Sequence, residues 1–384
     1  MNPVLILGSG LAGYNTAREF RKLDKNTPLV VLSRDAAAFY SKPMLSNALA
    51  ANKTAASLVM KPAERMAAEL DASVLAHTRV ARIDPQAQTV LTGDGRTLAY
   101  CDLVLALGAD PIRLALEGDG ADAVLSVNDL DDYARFAAAL EGVRSVTILG
   151  AGLIGCEFAN DLLSRGIVPT VIDLADRPLA RLLPEAASTR LREKLEAAGV
   201  RFRFGVAAAK VERDASGLVL TLSDGQTLHA DLVLSAIGLR PRIALAQAAG
   251  IAVKRGVITD RWLATSAPHV YAVGDTAEIL GHNLPFVLPL MQQARALGAT
   301  LAGTPTAVSY PAMPVTVKTP ACPTVVCPPP PDAPGQWTTS LSPDACEARF
   351  LGADGRLLGF ALLGTATMQR QALAAQVPPL FPAA

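Results

Sequence analysis

Gly8-Ser9-Gly10-Leu11-Ala12-Gly13 and Gly150-Ala151-Gly152-Leu153-Ile154-Gly155 are two copies of one short pattern on a chain of 384 residues. Each follows an apolar run, Val4-Leu5-Ile6-Leu7 or Val146-Thr147-Ile148-Leu149, and each precedes a stretch that reads as helix. Both therefore stand in the strand, turn, helix order that gives the pattern meaning. The three glycines have separate tasks. The first permits a tight turn, the second lets a pyrophosphate approach bare backbone, and the third allows helix to pack closely on strand. The helix N-terminus adds free N–H groups and partial positive charge. Two copies predict two bound dinucleotides.

The first unit reads as strand 4 to 7, helix from about Ala12 to Leu23 and strand 29 to 32. The second reads as strand 146 to 149, helix from about Leu153 to Arg165 and strand 169 to 172. Buried strands alternating with amphipathic helices predict an α/β fold with parallel sheets. Each half closes on a similar apolar run, at 103 to 109 and at 232 to 238. Before each run an antiparallel excursion is expected around turn glycines, at Thr92-Gly93-Asp94-Gly95 and Ser223-Asp224-Gly225-Gln226. Past Gly303 come ten prolines up to Pro334, among them Pro328 to Pro331. Proline fixes φ and removes a donor, so loops and edge strands are expected there. Strand-like segments at 348 to 350 and 358 to 362 follow, around a turn at Asp354-Gly355. The expected division is 1–107 and 236–302 for the first dinucleotide, 108–235 for the second, and a small α+β domain over 303–384.

The 35 basic and 35 acidic residues cancel, which argues against a nucleic-acid partner. At 51% hydrophobic residues the chain can bury large cores, yet no run approaches the roughly 18 apolar residues of a spanning helix. A soluble protein without a membrane partner is expected. The apolar start lacks a basic leader and runs into the first glycine motif, so a cytoplasmic location is expected. Five scattered cysteines, Cys101, Cys156, Cys322, Cys327 and Cys346, agree with a reducing compartment. Neither they nor the four histidines have metal-ligand spacing, and no metal is expected.

At the end of the second unit's second strand stands Asp173, where a carboxylate accepts bonds from adenosine ribose hydroxyls and repels a 2′-phosphate, favouring NADH over NADPH. Arg177 nearby is the opposing signal, since arginine can receive that phosphate. The first unit offers Ser33-Arg34-Asp35 and no acid at the usual place, so its ribose contact falls to Ser33, Asp35 or backbone.

The chain resembles the FAD-dependent pyridine nucleotide oxidoreductases of glutathione reductase fold over nearly its whole length. The residues that carry the resemblance are the two glycine motifs, Ala106-Leu107-Gly108-Ala109, Ala236-Ile237-Gly238-Leu239-Arg240-Pro241 and Tyr271-Ala272-Val273-Gly274-Asp275. It implies FAD on the first motif (Gly8, Ser9, Gly10, Leu11, Ala12, Gly13, with Ser33 and Arg34), NADH on Gly150, Gly152 and Gly155, and Asp275 on the flavin ribityl chain. Members that relay electrons through thiols carry cysteine after the first unit. Here Tyr40-Ser41-Lys42-Pro43-Met44-Leu45-Ser46 has none, and no cysteine precedes Cys101.

The branch most similar is that of the rubredoxin reductases, through Leu11 to Asn15, Ser41 to Ser46, Gly152 to Ala159 and Met313-Pro314-Val315-Thr316-Val317-Lys318-Thr319-Pro320. The resemblance implies electron transfer from NADH to rubredoxin, serving alkane hydroxylation or oxygen detoxification. It implies roles for Glu157 at nicotinamide and flavin, with Lys42 as its partner near flavin N5. Val80 is implied as a backbone contact to adenine, and Val287 and Lys318 as contacts to the flavin ring. A helix over Pro289 to Leu301 is expected to aim its positive N-terminus at the flavin. Alternatives are a reductase for a [2Fe–2S] ferredoxin, an NADH oxidase without a thiol, and an NADH-binding redox sensor.

Overall fold

A computed structural model describes residues 1–215 and 217–382. Two parallel sheets carry the two glycine motifs. The first runs in the order Val270–Ala272, Asp102–Leu105, Val4–Leu7, Leu29–Leu32, Ser73–Leu75, and the second Arg201–Phe204, Val168–Asp173, Ser145–Leu149, Leu232–Ser235. The strands at 4–7 and 146–149 are buried on both faces, as parallel strands covered by helices must be. Each glycine loop leaves the C-terminal end of its central strand, beside the point where strand order reverses. Helices α1 (Leu11–Leu23) and α2 (Leu153–Leu163) begin there.

The two excursions form three-stranded antiparallel sheets, one over Val80–Asp84, Thr89–Thr92 and Thr97–Ala99, the other over Ala208–Asp214, Gly217–Leu222 and Thr227–Ala230. Where the chain crosses between the two parallel sheets, Ala109–Pro111 pairs antiparallel with Leu239–Pro241. Arg242 fastens this crossing, donating from Nη1 to the Leu107 carbonyl at 2.7 Å and from Nε to Asp110 at 2.7 Å.

The last part is a five-stranded antiparallel sheet in the order Val315–Val317, Thr324–Cys327, Leu357–Gly364, Ala345–Gly352, Gly335–Leu341. The expectation of edge strands in the proline-rich segment needs correction. Val315–Val317 is at an edge, but Thr324–Cys327 lies inside the sheet and is fully buried. Pro323 and Pro328 bracket it, so every residue inside the ladder keeps its N–H. Gly335–Leu341, unforeseen, forms the far edge.

One core surrounds the first parallel sheet. Another joins the segment after it (Leu45, Leu49) to α2 (Phe158, Leu162) and the last sheet (Val317, Val326). All five cysteines are free. Burial pushes the Cys327 and Cys346 thiols up to about 11, so they are packing groups held protonated at neutral pH. Among the described residues no helix is long and apolar enough to cross a membrane.

Helix α3 (Val287–Leu301) begins two residues before the expected start and packs against α1. The contact is backbone-close at Gly298, where a Cβ would stand 2.7 Å from the Glu19 Cβ and 2.8 Å from the Phe20 nitrogen. Helix propensity alone gives Gly298→Ala a gain of about 1 kcal/mol. We expect the opposite sign, a lowered thermal midpoint, because two helix backbones must separate to admit the methyl group. A raised midpoint would refute the close contact.

Candidate functional site

The two glycine loops agree contact by contact. Gly8 N–H donates to the Leu32 carbonyl and Gly150 N–H to that of Ile172, both at 2.8 Å. Gly8 and Gly150 have φ of +118° and +105°, a region that favours glycine. A Cβ on Gly13 would lie 1.9 Å from the Gly8 oxygen, and one on Gly155 1.9 Å from the Gly150 oxygen. These four glycines are therefore required by the protein itself.

Gly10 and Gly152 differ. Their φ values are −68° and −73°, ordinary for any residue, and a Cβ on either would meet no atom within 4 Å. Both begin a helix with no side-chain cap, so the cap residue leaves the first-turn N–H groups without a side-chain partner. Bare backbone that the fold does not require, beside unsatisfied donors, fits a pyrophosphate.

The strand ends set the copies apart. In the second, Asp173 accepts N–H bonds from Ala151 at 2.6 Å and Ala175 at 2.8 Å, which fixes its carboxylate at the loop. Arg177 is held by Asp176 at 2.8 Å. In the first, Ser9 takes the place of Ala151, and its hydroxyl lies 2.7 Å from the Ser33 hydroxyl. Ser33 donates to Asp35 at 2.7 Å, which also accepts from Ala37 N–H at 2.9 Å. A serine pair thus hands the strand-end position to an acid two residues on. Arg34 is exposed, 3.7 Å from Asp110. Thr78 N–H donates to the Ser33 carbonyl at 2.7 Å, bringing half-buried Val80, first residue of its strand, toward the same end.

Asp275 follows Gly274, whose φ is +72° and whose Cβ would stand 2.7 Å from that of Ala12. The acid is thereby drawn against the first turn of α1. Partly buried Lys42 opens a 3₁₀ segment, Lys42–Asn47. Burial lowers its pKa, and the charge of Asp275 is the strongest influence raising it. Val287, the first residue of α3, is exposed.

Glu157 lies on α2 and is 0% exposed. The expected partner, Lys42, is not the one observed. Ser46 Oγ donates to Oε2 at 2.5 Å, Lys318 N–H to Oε1 at 2.9 Å, and Lys318 Nζ closes an ion pair with Oε2. Lys318 wins because its backbone and side chain reach the carboxylate together. One turn further, Asp161 accepts from Leu49 and Ala50 N–H at 3.0 and 2.8 Å, and Asn160 accepts from Ala321 N–H at 3.0 Å. Three residues escaped the sequence reading. Ser46 was inside a quoted motif without a role, Arg242 followed one immediately, and Gln293 sat unremarked in a foreseen helix.

Residues 2–298 match the pyridine nucleotide-disulphide oxidoreductase family, and residues 307–377 match the rubredoxin binding C-terminal domain. The chain belongs to the pyridine nucleotide-disulphide oxidoreductases. Within them it is 51% identical to a rubredoxin-NAD(+) reductase of Alcanivorax borkumensis and 47% identical to one of Acinetobacter baylyi, over 100% of each chain. Among solved structures, a ferredoxin reductase from Rhodopseudomonas palustris superposes with a TM-score of 0.89 at 26% identity, covering 98% of this chain and 96% of that one.

The glycine geometry gives a paired expectation. Gly10→Ala and Gly152→Ala should fold with a loss of no more than about 1 kcal/mol, yet the first should purify with depleted flavin and the second should keep flavin and show a raised KM for NADH. Gly13→Ala should fail to fold. Flavin content, NADH kinetics and thermal unfolding decide it, and a Gly10→Ala protein with full flavin content would contradict the cradle.

Proposed function

We propose that the protein is an FAD-dependent NADH:rubredoxin oxidoreductase, with FAD on the loop at Gly8 and NADH on the loop at Gly150. The chemistry that bound FAD would supply is acceptance of a hydride from NADH and release of electrons singly. The rubredoxin-binding C-terminal match, joined to α2 through Lys318 and Glu157, is the observation that carries this reading.

The chain's own residues bind, orient and balance charge. The first-turn N–H groups of α1 and α2 receive the two pyrophosphates, with Leu11 and Ala12 supplying backbone on the flavin side. Ser33 and Asp35 stand at the flavin-side ribose, with Arg34 and Val80 beside them, and Asp275 is the fixed acceptor for the ribityl hydroxyls. Asp173 receives the NADH ribose hydroxyls and repels a 2′-phosphate, while Asp176 engages Arg177. Glu157 and Lys318 present a neutralised, preorganised pair where negative charge moves during hydride transfer. Lys42, whose charge is favoured by that of Asp275, supplies a positive charge on the flavin side, and Val287 places the positive end of α3 nearby.

With no cysteine on 40 to 46 and the buried thiols held protonated, electrons pass to the partner without a sulfur relay. The working division is 1–107 with 236–302 for FAD, 108–235 for NADH and 303–384 for the acceptor side. The reading places the protein in the cytoplasm, which suits five free thiols, with alkane hydroxylation or oxygen detoxification downstream.

A [2Fe–2S] ferredoxin as acceptor is the second reading, favoured by the likeness to the ferredoxin reductase over 98% of the chain. Steady-state NADH oxidation with each carrier in one preparation separates them. We expect kcat/KM for rubredoxin to exceed that for ferredoxin by at least about tenfold, or ~1.4 kcal/mol. The reverse order would transfer the assignment to ferredoxin, and slow turnover with both would leave a redox sensor.

A further inference from the structure

The match to the rubredoxin-binding domain ends at residue 377, but the chain continues back onto the first dinucleotide-binding half. Tyr310 and Phe381 exchange backbone bonds, Tyr310 N–H to Phe381 oxygen at 2.8 Å and the reverse at 3.3 Å. Their rings stack with centroids 5.0 Å apart and planes at 19°. His282 meets the Phe381 ring edge-on at 5.5 Å. Arg261 Nη2 donates to the Pro382 carbonyl at 2.6 Å and to that of Val308 at 3.1 Å. The tail is therefore tied by side chains of the 261–310 region.

Tyr310 carries this docking inward. Its hydroxyl accepts from Gln293 Nε2 at 2.8 Å, and Gln293 Oε1 accepts from Gly274 N–H at 2.6 Å. Gln293 is 2% exposed and Tyr310 1%. The direction of the amide is forced, because a backbone N–H can only donate, so Gln293 must turn its oxygen to Gly274 and its nitrogen to the phenol. Gly274 is the left-handed residue pressed against Ala12, and the next residue is Asp275. Without the phenol the buried amide keeps only one of the two bonds that hold it and leaves its NH2 unpaired, so its hold on the Gly274 N–H weakens.

We propose that the C-terminal tail, through Phe381, Tyr310 and Gln293, fixes the Gly274-Asp275 turn and thereby sets the affinity for FAD. The inference rests on the assignment of FAD to the loop at Gly8. Tyr310 and Gln293 are positioning residues, since neither needs to touch the cofactor. Tyr310→Phe keeps the ring stacked on Phe381 and removes only the acceptor for Gln293. Phe381→Ala removes the ring stacked on Tyr310 and so loosens the phenol's hold on Gln293 without deleting any hydrogen-bonding group.

The test is titration of FAD into full-length apoprotein, followed by flavin fluorescence, with thermal unfolding of the same apoprotein as the control for mere packing. We expect Tyr310→Phe to raise the FAD dissociation constant by about tenfold with little change in the apoprotein midpoint, and Phe381→Ala to shift affinity in the same direction. Unchanged affinity in both variants, or a loss matched by an equally destabilised apoprotein, would overturn the proposal. Failure of the wild-type apoprotein to bind FAD would instead strike at the flavin assignment itself.

Discussion

A carboxylate shut away from water is costly unless donors surround it, and Glu157 is fully buried. Its three donors come from two distant segments, the Ser46 hydroxyl after the first glycine unit and both the N–H and ammonium of Lys318 beside the last sheet. The acid itself belongs to the helix of the second unit. One charge therefore holds three parts of the chain to a common point. The next turn of α2 repeats the arrangement in weaker form, with Asn160 receiving Ala321 and Asp161 receiving Leu49 and Ala50. Burial pushes the Asp161 carboxyl up, and its two N–H bonds offset this only in part. These polar contacts join the segments that also share an apolar core, so neither the segment after the first glycine unit nor the last sheet can shift without breaking them.

Around this point the two dinucleotide loops are alike in what the fold demands and unlike in what their ligands demand. Gly8, Gly13, Gly150 and Gly155 are dictated by φ or by a carbonyl oxygen too close for a side chain. Gly10 and Gly152 are dictated by neither, which is why the proposed function seats a pyrophosphate against each. The strand ends then separate the two, Asp173 bonded directly to its loop and Asp35 reached through Ser9 and Ser33.

How much could be read from sequence follows from the distance over which each feature is determined. The glycine turns, the central strands and α1 to α3 rest on neighbouring residues, and their boundaries fell within two residues of expectation. The antiparallel excursions were equally local. Thr324–Cys327 was misjudged because proline density is an average over a segment, whereas pairing depends on which individual residues lack an N–H. For Glu157 the residue was found and its partner was not. Lys42 and Lys318 carry the same charge, and only the course of the last sheet decides which reaches the carboxylate. Gln293 and Arg242 escaped for the same reason, since their partners Gly274, Tyr310, Leu107 and Asp110 are brought near by tertiary structure alone.

Anaerobic stopped-flow reduction of the bound flavin by NADH, comparing wild type with Glu157→Gln, tests most directly whether this buried charge serves the reaction as well as the fold. Removing the negative charge while keeping the shape should slow flavin reduction by about tenfold or more, with flavin content retained. Reduction at the wild-type rate would contradict the account and leave Glu157 a structural tie between the three parts of the chain.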